Sequence, residues 1–568
     1  MNQTLHRDVS QNTTQRHPLD VHVQGQLARL TGGVSPVAMM LAWQDWWLHL
    51  LLSPGKCSDL LTAAATGFAA DAAQDRRFAG PTWRAWPFAL YAAGFSQAER
   101  FWQAATSGIS GVTPHHADVV AFGARQLLDM WSPSNFPYTN PEVLQAAWTS
   151  GGASVVDGAH NWALDLCRRL APPDMAVPQA AGRAHVPGRD VAVTPGAVVF
   201  CNDLIELIQY TPQTVTVYRE PLLIVPSWIM KYYILDLSPH NSLVRYLVGQ
   251  GHTVFMLSWH NPGRSDRDVG MADYLERGVL AALGQVSRQC ANAPVHAAGY
   301  CLGGTLLAIA AAALDSGEHE AVAPLATVTL LAAQTDFSEP GELGLFIDDS
   351  ELAFLEALMA EQGYLSGDQM AAAFQLLHAR DLVWSRVMRE YLLGRRSAPN
   401  DLMAWNADST RLPARMHSEY LRRLFLDNDL ARGRYLVDGR PVALSDIHTA
   451  LFVLGTEHDH VSPWRSVYKI HLLCHAPIDF VLVAGGHNAG IVAPPGQAGR
   501  SFRHRPADGL QRGYDSPDEW LADAARSEGS WWPYWQRWLA RHSQPQRWAP
   551  PALGAGLVPA PGWYVRQG

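Results

Sequence analysis

Apolar positions fall into two textures along the chain. From about Thr31 to Leu170 they recur at helical spacing, in Ala- and Trp-rich runs such as AWPFALYAAGFSQAERFWQAA separated by turns bearing Pro and Gly. This predicts an α-helical N-terminal domain over residues 31–185, behind a polar, flexible N-terminus over 1–30. The stretch from Pro172 to Gly188, rich in Pro, Gly and Ala, reads as a linker. Near Val191 the texture changes to short apolar runs alternating with helical segments. AVVFCNDLIELIQY predicts a hairpin turning at Asn202 and Asp203. Strands are predicted at Leu222–Val225, Thr253–Ser258, Val295–Ala298, Thr327–Leu331, Leu451–Leu454 and Phe480–Val483. Such runs suit parallel strands joined by helices and buried on both faces, which predicts an α/β domain over 186–545. Between the fourth and fifth runs, residues 337–447 are far longer than a crossover and mostly helical in pattern, the mark of an inserted lid. The Pro- and Gly-rich tail over 546–568 has too little periodicity to assign.

Within the first texture, Trp43, Trp46, Trp47, Leu50 and Leu51 recur at i, i+3, i+4, i+7 and form one apolar face of a helix. Packing onto its own domain is the preferred reading, ahead of docking onto a lipid or polymer surface. The run from Val37 to Leu52 is shorter than the roughly 20 residues of a membrane span, and Gln44, Asp45 and His49 break it, so no transmembrane segment is expected.

Composition narrows the function classes. A net charge of −9 leaves no basic footprint for phosphate backbones, which argues against nucleic acid as a partner. Only 17% of residues are charged and 21 are Trp, so something apolar is expected against part of the surface. The six cysteines (Cys57, Cys167, Cys201, Cys290, Cys301 and Cys474) make no CxxC pair and no metal-ligand cluster with histidine. With no secretory signal at the polar N-terminus, a reduced cytoplasmic setting and no metal site are expected.

One cysteine stands apart. Gly299, Tyr300, Cys301, Leu302, Gly303 and Gly304 follow a predicted strand and precede the helix-like run TLLAIAAAAL. This is the G-x-nucleophile-x-G elbow of α/β-hydrolases, where the tight turn requires small residues two positions either side of the nucleophile. The turn sets the thiol at a helix N-terminus, where the dipole and free amides favour a thiolate and an oxyanion. Leu302 N–H is one predicted oxyanion donor. The second is expected from the loop after the first parallel strand, among the amides of Ser227, Trp228 and Ile229, with Trp228 at their centre. The other five cysteines lack elbow context and are expected to be inert core residues.

This fold delivers nucleophile, acid and histidine in that chain order. His487, in the glycine-rich GGHNAG just past the strand DFVLVA, is the predicted general base, ahead of His458, His460 and His475, which precede that strand. Asp459 in TEHDHVSP, after the preceding strand, is the predicted acid. Asp336, one strand earlier, and Glu457 are its competitors.

Seven ordered segments, TGGVSPVAMMLAWQDWWLHLLLSPGK, SPSNFPYTNPEVL, PLLIVPSWIMKYYILDL, GYCLGG, DLMAWNADSTRLPARMHSEYLRRLFLDNDL, TEHDHVSPWRSVYK and GGHNAGI, resemble the class I type of polyhydroxyalkanoate synthase from about Thr31 to Trp538. The resemblance implies Cys301 as acyl carrier, His487 as base and Asp459 as its partner. It further implies polymerisation of (R)-3-hydroxyacyl-CoA, of short chain such as 3-hydroxybutyryl-CoA, into polyester with release of CoA. The CoA thioester is then the substrate, with no resident cofactor. A cytoplasmic homodimer on a growing polyester granule, with granule-associated proteins as further partners, is also implied. Asp236 in YYILDL, His460 beside the acid and Trp405 in the insert stand out as secondary residues, for which a structural role is equally expected. Two departures border the expected active-site mouth: Pro226 and Ser227 stand where the family has Pro-Pro or Pro-Gln, and His260, Asn261 and Pro262 where it has Arg-Asn-Pro. The competing readings are a thioesterase or intracellular polyester depolymerase on the same fold, and a non-catalytic granule-associated paralogue. The N-terminal helical domain speaks against the first, the ordered Cys301, Asp459 and His487 against the second.

Overall fold

Fourteen strands, numbered in chain order, organise the computed structural model, which describes residues 17–66, 75–170, 185–317, 322, 324–377, 383–396, 398, 400–505, 514–553 and 558–568. They are β1 (Gly196–Cys201), β2 (Ile205–Tyr210), β3 (Leu222–Val225), β4 (Val254–Trp259), β5 (Val295–Tyr300), β6 (Leu325–Leu331), β7 (Tyr364–Leu365), β8 (Leu412–Pro413), β9 (Tyr435–Val437), β10 (Arg440–Val442), β11 (Leu451–Thr456), β12 (Ile478–Val483), β13 (Ser501–His504) and β14 (Ala525–Glu528). Ten form one sheet in the order β1-β2-β4-β3-β5-β6-β11-β12-β13-β14.

The six runs predicted as strands are the six parallel ones, β3, β4, β5, β6, β11 and β12. Almost every residue in them is buried, as a sheet covered on both faces requires, and this is why continuous apolar runs betrayed them. The predicted hairpin is β1 and β2, paired antiparallel on one edge. On the other edge the sheet continues past β12 into the antiparallel β13 and β14, so the strand before the histidine loop is the last parallel strand and not the last strand. SFRH and ARSE are short and mostly polar, the second forming the exposed edge of the sheet, and neither carries a continuous apolar run.

Among the described residues seven α-helices precede the sheet: α1 (Pro18–Leu30), α2 (Pro36–Leu51), α3 (Pro54–Thr66), α4 (Phe88–Ala105), α5 (Pro114–Met130), α6 (Pro141–Thr149) and α7 (Ala153–Leu170). Residues 1–16 of the polar N-terminus, and the predicted linker as far as residue 184, lie outside the described residues. In α2 the buried stripe is centred on Trp46, whose indole donates to the Ala105 carbonyl at 2.9 Å, and it extends to Ala42 and Leu50. Trp47 and Leu51 are 51% and 57% exposed, so the expected apolar face is only partly used inside the chain.

The insert over 337–447 is mainly helical, with two short antiparallel pairs, β7 with β8 and β9 with β10. The N-terminal helices pack on it: Ser35 N–H donates to the buried Glu351 carboxylate at 2.7 Å, Asn161 donates to the Glu390 carbonyl at 3.0 Å, and Phe122 meets Phe346 edge to face. The tail left unassigned from sequence is anchored by polar contacts, which apolar periodicity cannot reveal. Trp548 and Val217 exchange backbone hydrogen bonds, Val198 N–H donates to the Val558 carbonyl, and the buried Glu206 carboxylate accepts the amides of Trp563 and Tyr564.

Candidate active site

The loops that follow β3, β5, β11 and β12 all open at the carboxyl edge of the parallel strands, where this architecture places its chemistry. Register holds them level: Val225 pairs with Gly299, Tyr300 with Leu331, Leu454 with Leu331, and Thr456 with Val483.

After β5 the chain turns at Cys301 with φ 53° and ψ −126°, a positive-φ conformation that a non-glycine residue adopts only when its surroundings enforce it. The helix Leu302–Asp315 starts immediately, buried along nearly its whole length. A Cβ on Gly299 would strike Gly304 Cα, and one on Gly303 would strike the carbonyl oxygens of Val225 and Pro226. The elbow is therefore closed against the β3 loop, with no room for larger residues. Leu302 N–H, at the first helical position, has no intrahelical acceptor.

His487 and Asp459 come together from separate loops, with His487 Nδ1 2.8 Å from Asp459 Oδ2. Asp459 Oδ2 also accepts from Thr456 Oγ1 at 2.6 Å, while Oδ1 accepts the amides of Val461 and Ser462 at 2.9 and 2.7 Å. Burial alone would raise this carboxyl; the positive charge of His487 and these donors more than offset it and hold Asp459 below the ordinary carboxylate range. Burial likewise disfavours a charged His487, yet Asp459 and the Cys301 sulfur beside the ring outweigh it and hold the imidazole well above its ordinary value. The three side chains thus stand in line, the Cys301 sulfur beside the imidazole and the imidazole hydrogen-bonded to the Asp459 carboxylate.

Several groups that sequence reasoning missed hold this line in place. Tyr300 lies 5.5 Å from the His487 ring and donates to Asn488 Oδ1 at 2.6 Å. The indoles of Trp531 and Trp532 donate to the carbonyls of Gly490 and Ile491 at 3.1 and 3.0 Å, tying down the same loop. The adjacent indoles in that Trp-rich segment were the available signal, and their use is internal: Trp531, Trp532, Trp535 and Trp538 are all buried. Cys301 packs against a cluster to which the insert contributes Phe337, Tyr420 and Phe425, which with Trp228 make an aromatic wall.

The other sequence candidates separate cleanly. Asp336 accepts from Ser338 and Asn428, and Glu457 faces Arg503, so neither meets His487. His458, His460 and His475 are exposed. Asp236 is buried, and the hydroxyls of Thr194 and Ser242 donate to its Oδ1. Trp405 is 2% exposed and its indole donates to the Lys231 carbonyl at 2.7 Å, on the loop that carries Trp228. Trp228 itself is buried against Trp259 and Tyr274. All six cysteines are free; Cys167 and Cys201 are exposed, contrary to the expectation of core packing, because their positions fall on the outer side of α7 and at the end of the edge strand β1. Among the described residues no group of three or more His, Cys, Asp or Glu is placed to hold a metal ion, and no helix is long and apolar enough to cross a membrane.

Comparison with known proteins gives a consistent result. Residues 74–247 match the family described as poly-beta-hydroxybutyrate polymerase (PhaC) N-terminus, residues 14–56 that described as poly-beta-hydroxybutyrate polymerase N terminal, and residues 220–494 the alpha/beta hydrolase fold. The poly(3-hydroxyalkanoate) polymerase of Methylorubrum extorquens is 41% identical over 499 residues, 87% of this chain and 81% of its own length. The poly(3-hydroxyalkanoate) polymerase subunit PhaC of Cupriavidus necator is 39% identical over 508 residues, covering 87% and 83%. That of Rhizobium meliloti is 36% identical over 534 residues, covering 91% and 84%.

Proposed function

Since the chain belongs to the poly(3-hydroxyalkanoate) polymerase family, we propose that it builds polyester from (R)-3-hydroxyacyl-CoA by passing each acyl group through Cys301. It is an acyltransferase of the α/β-hydrolase fold. The observation that carries the residue assignment is the line from the Cys301 elbow through His487 to Asp459.

The chemistry follows from that line. Cys301 gives its proton to His487, and the sulfur attacks the thioester carbon. The carbon–sulfur bond to CoA breaks, CoA leaves as a thiol with the proton from His487, and the acyl group remains on Cys301. Exchange of one thioester for another is nearly balanced in energy, which suits a thiol nucleophile. A 3-hydroxyl, from the next substrate or the chain end, then gives its proton to His487 and attacks the acyl-enzyme. An oxoester forms, and Cys301 regains its proton as it departs. Formation of the more stable oxoester draws the sequence forward. Leu302 N–H and an amide of the β3 loop receive the oxyanion in both steps. Asp459 holds one tautomer of His487 and stabilises the imidazolium.

Water would end a chain prematurely, and the aromatic wall from the insert serves to exclude it. Short-chain substrates such as 3-hydroxybutyryl-CoA, the absence of a resident cofactor, a homodimer, and attachment to the polymer granule, with granule-associated proteins, belong to the same reading. The exposed apolar residues of α2, including Met40, Trp47 and Leu51, support contact with an apolar surface. The test is product analysis. Purified protein given (R)-3-hydroxybutyryl-CoA should release CoA while polymer accumulates. Soluble 3-hydroxybutyrate without polymer would mean hydrolysis.

A further inference from the structure

The insert reaches beyond covering the nucleophile. Its residues Trp405 to Arg411 run beside the loop Pro226 to Lys231 and take up that loop's carbonyls. The Trp405 indole donates to Lys231, the Thr410 amide to Ile229 at 3.1 Å, and the Thr410 hydroxyl to Trp228 at 2.6 Å. From the sheet, the Trp259 indole holds the Pro226 carbonyl at 3.0 Å.

A trans peptide points its N–H opposite to its C=O, so holding a carbonyl also aims the amide of the same plane. The Trp228 carbonyl shares its plane with Ile229 N–H, which donates to Ser227 Oγ at 3.3 Å. The Pro226 carbonyl shares its plane with Ser227 N–H. Between them lies the peptide carrying Trp228 N–H, bracketed by two planes of fixed direction. The stretch lies against the elbow, as the clash of a Gly303 Cβ with Val225 and Pro226 shows. Among the described residues, neither Ser227 nor Trp228 donates its amide to a protein acceptor. Thr410 is 2% exposed, and the Trp228 carbonyl is its hydroxyl's acceptor.

We propose that Thr410 is a positioning residue for the acyl-transfer reaction: from the insert, it fixes the peptide plane that follows Trp228 and so the direction of the adjoining Trp228 amide, which receives the oxyanion. Seating of the insert on this loop and stabilisation of the tetrahedral intermediate are then one event. The inference rests on Cys301 being the nucleophile and adds which segment sets the second oxyanion donor.

The test compares two reactions of the same sulfur in full-length wild type, Thr410→Val and Thr410→Ser. Acyl transfer, read as CoA release from (R)-3-hydroxybutyryl-CoA, passes through an oxyanion. Alkylation by iodoacetamide, read as the rate of Cys301 modification by mass spectrometry, does not. Losing one oxyanion donor outright costs about 10²–10³ in kcat, and loosening it should cost at least about tenfold. Thr410→Val should therefore lower kcat about tenfold or more with little change in KM, alkylate Cys301 at the wild-type rate, and remain cooperatively folded with an unfolding midpoint lowered only by the loss of one buried hydrogen bond. Thr410→Ser, which restores the hydroxyl, should recover most of the activity. CoA release by Thr410→Val within twofold of wild type, or a parallel loss of alkylation and acyl transfer, would overturn the proposal. A wild-type enzyme that stays active after complete alkylation of Cys301 would instead refute the nucleophile assignment.

Discussion

Asp459 Oδ2 and His487 Nδ1 meet at 2.8 Å although 28 residues and a whole strand separate them in the chain. The carboxylate is the main charge offsetting the burial of the imidazolium. Asp459→Asn removes that charge and should lower kcat for CoA release by roughly 10³ to 10⁴, by analogy with loss of the acid in hydrolase triads. It should also bring His487 down toward the ordinary histidine range, moving the NMR titration profile of its imidazole to lower pH. In the wild type Asp459 stays ionised below the usual carboxylate range, so its protonation should cost no activity between pH 5 and 7. A wild-type rate and unchanged profile in Asp459→Asn would show that the contact is incidental.

The elbow makes a steric prediction. Backbone carbonyls of Val225 and Pro226 fill the space a Cβ would need at Gly303, and backbone cannot rotate away as a side chain can. Gly303→Ala should cost on the order of 1–3 kcal/mol or more from overpacking and lower the yield of folded protein. The comparison is Gly439→Ala, where the space is open and only the backbone conformation resists. Equal yields and unfolding midpoints for Gly303→Ala and wild type would contradict the packing described.

What the sequence disclosed depended on whether the signal was apolar or polar. Continuous apolar runs located all six parallel strands, and the glycine bracket located the tight turn at Cys301, because burial and steric exclusion leave marks on residue type. The chain order of the fold then led to Asp459 and His487. Polar devices stayed hidden. Thr410, Tyr300 with Asn488, and the Glu206 anchor of the tail are ordinary residues whose partners lie 182, 188 and 357 positions away, and nothing local marks them. The short, mostly polar strands β13 and β14 escaped for the same reason. The α2 helix shows the converse limit: periodicity found its apolar residues but could not tell that the stripe turns toward Ala42 and leaves Trp47 and Leu51 outside.

The tryptophans offer a direct contrast. Trp535 is fully buried on the sheet, with its indole donating to Thr329 Oγ1 at 3.0 Å. Trp535→Ala should destabilise by about 3–5 kcal/mol and lower the unfolding midpoint clearly. Trp47→Ala, on the exposed side of α2, should change stability by no more than about 0.5 kcal/mol. Similar shifts in thermal unfolding for the two would mean that the burial pattern is wrong.

Acid stability should be governed partly by two histidines far from the nucleophile. His252 and His296 are buried and pushed down to about 3, chiefly by burial, with His296 adding to the shift of His252 and His542 to that of His296. Neutral in the fold, both take up protons on unfolding below about pH 6.5. Their contribution is therefore complete above pH 6.5 and is lost as pH falls toward 3. Between pH 6.5 and 5 the loss is about 2 kcal/mol for each, at about 1.36 kcal/mol per pH unit. Glu351, pushed up to about 7 mainly by burial, acts in the opposite sense over this interval and reduces the net change. His252→Phe keeps the ring that stacks on Tyr218 and removes the titration, so its unfolding midpoint should fall less than that of wild type between pH 6.5 and 5. Identical falls would show that His252 is not the acid-sensitive group.

The acyl-enzyme itself is the most direct measurement. Enzyme mixed briefly with (R)-3-hydroxybutyryl-CoA, quenched in acid and digested, should carry one or more 3-hydroxybutyryl masses on the peptide containing Cys301 and on no other cysteine. Cys301→Ala should carry none and release CoA at least about 10⁴-fold more slowly. Acyl mass on a different residue, or CoA release from Cys301→Ala at the wild-type rate, would contradict it.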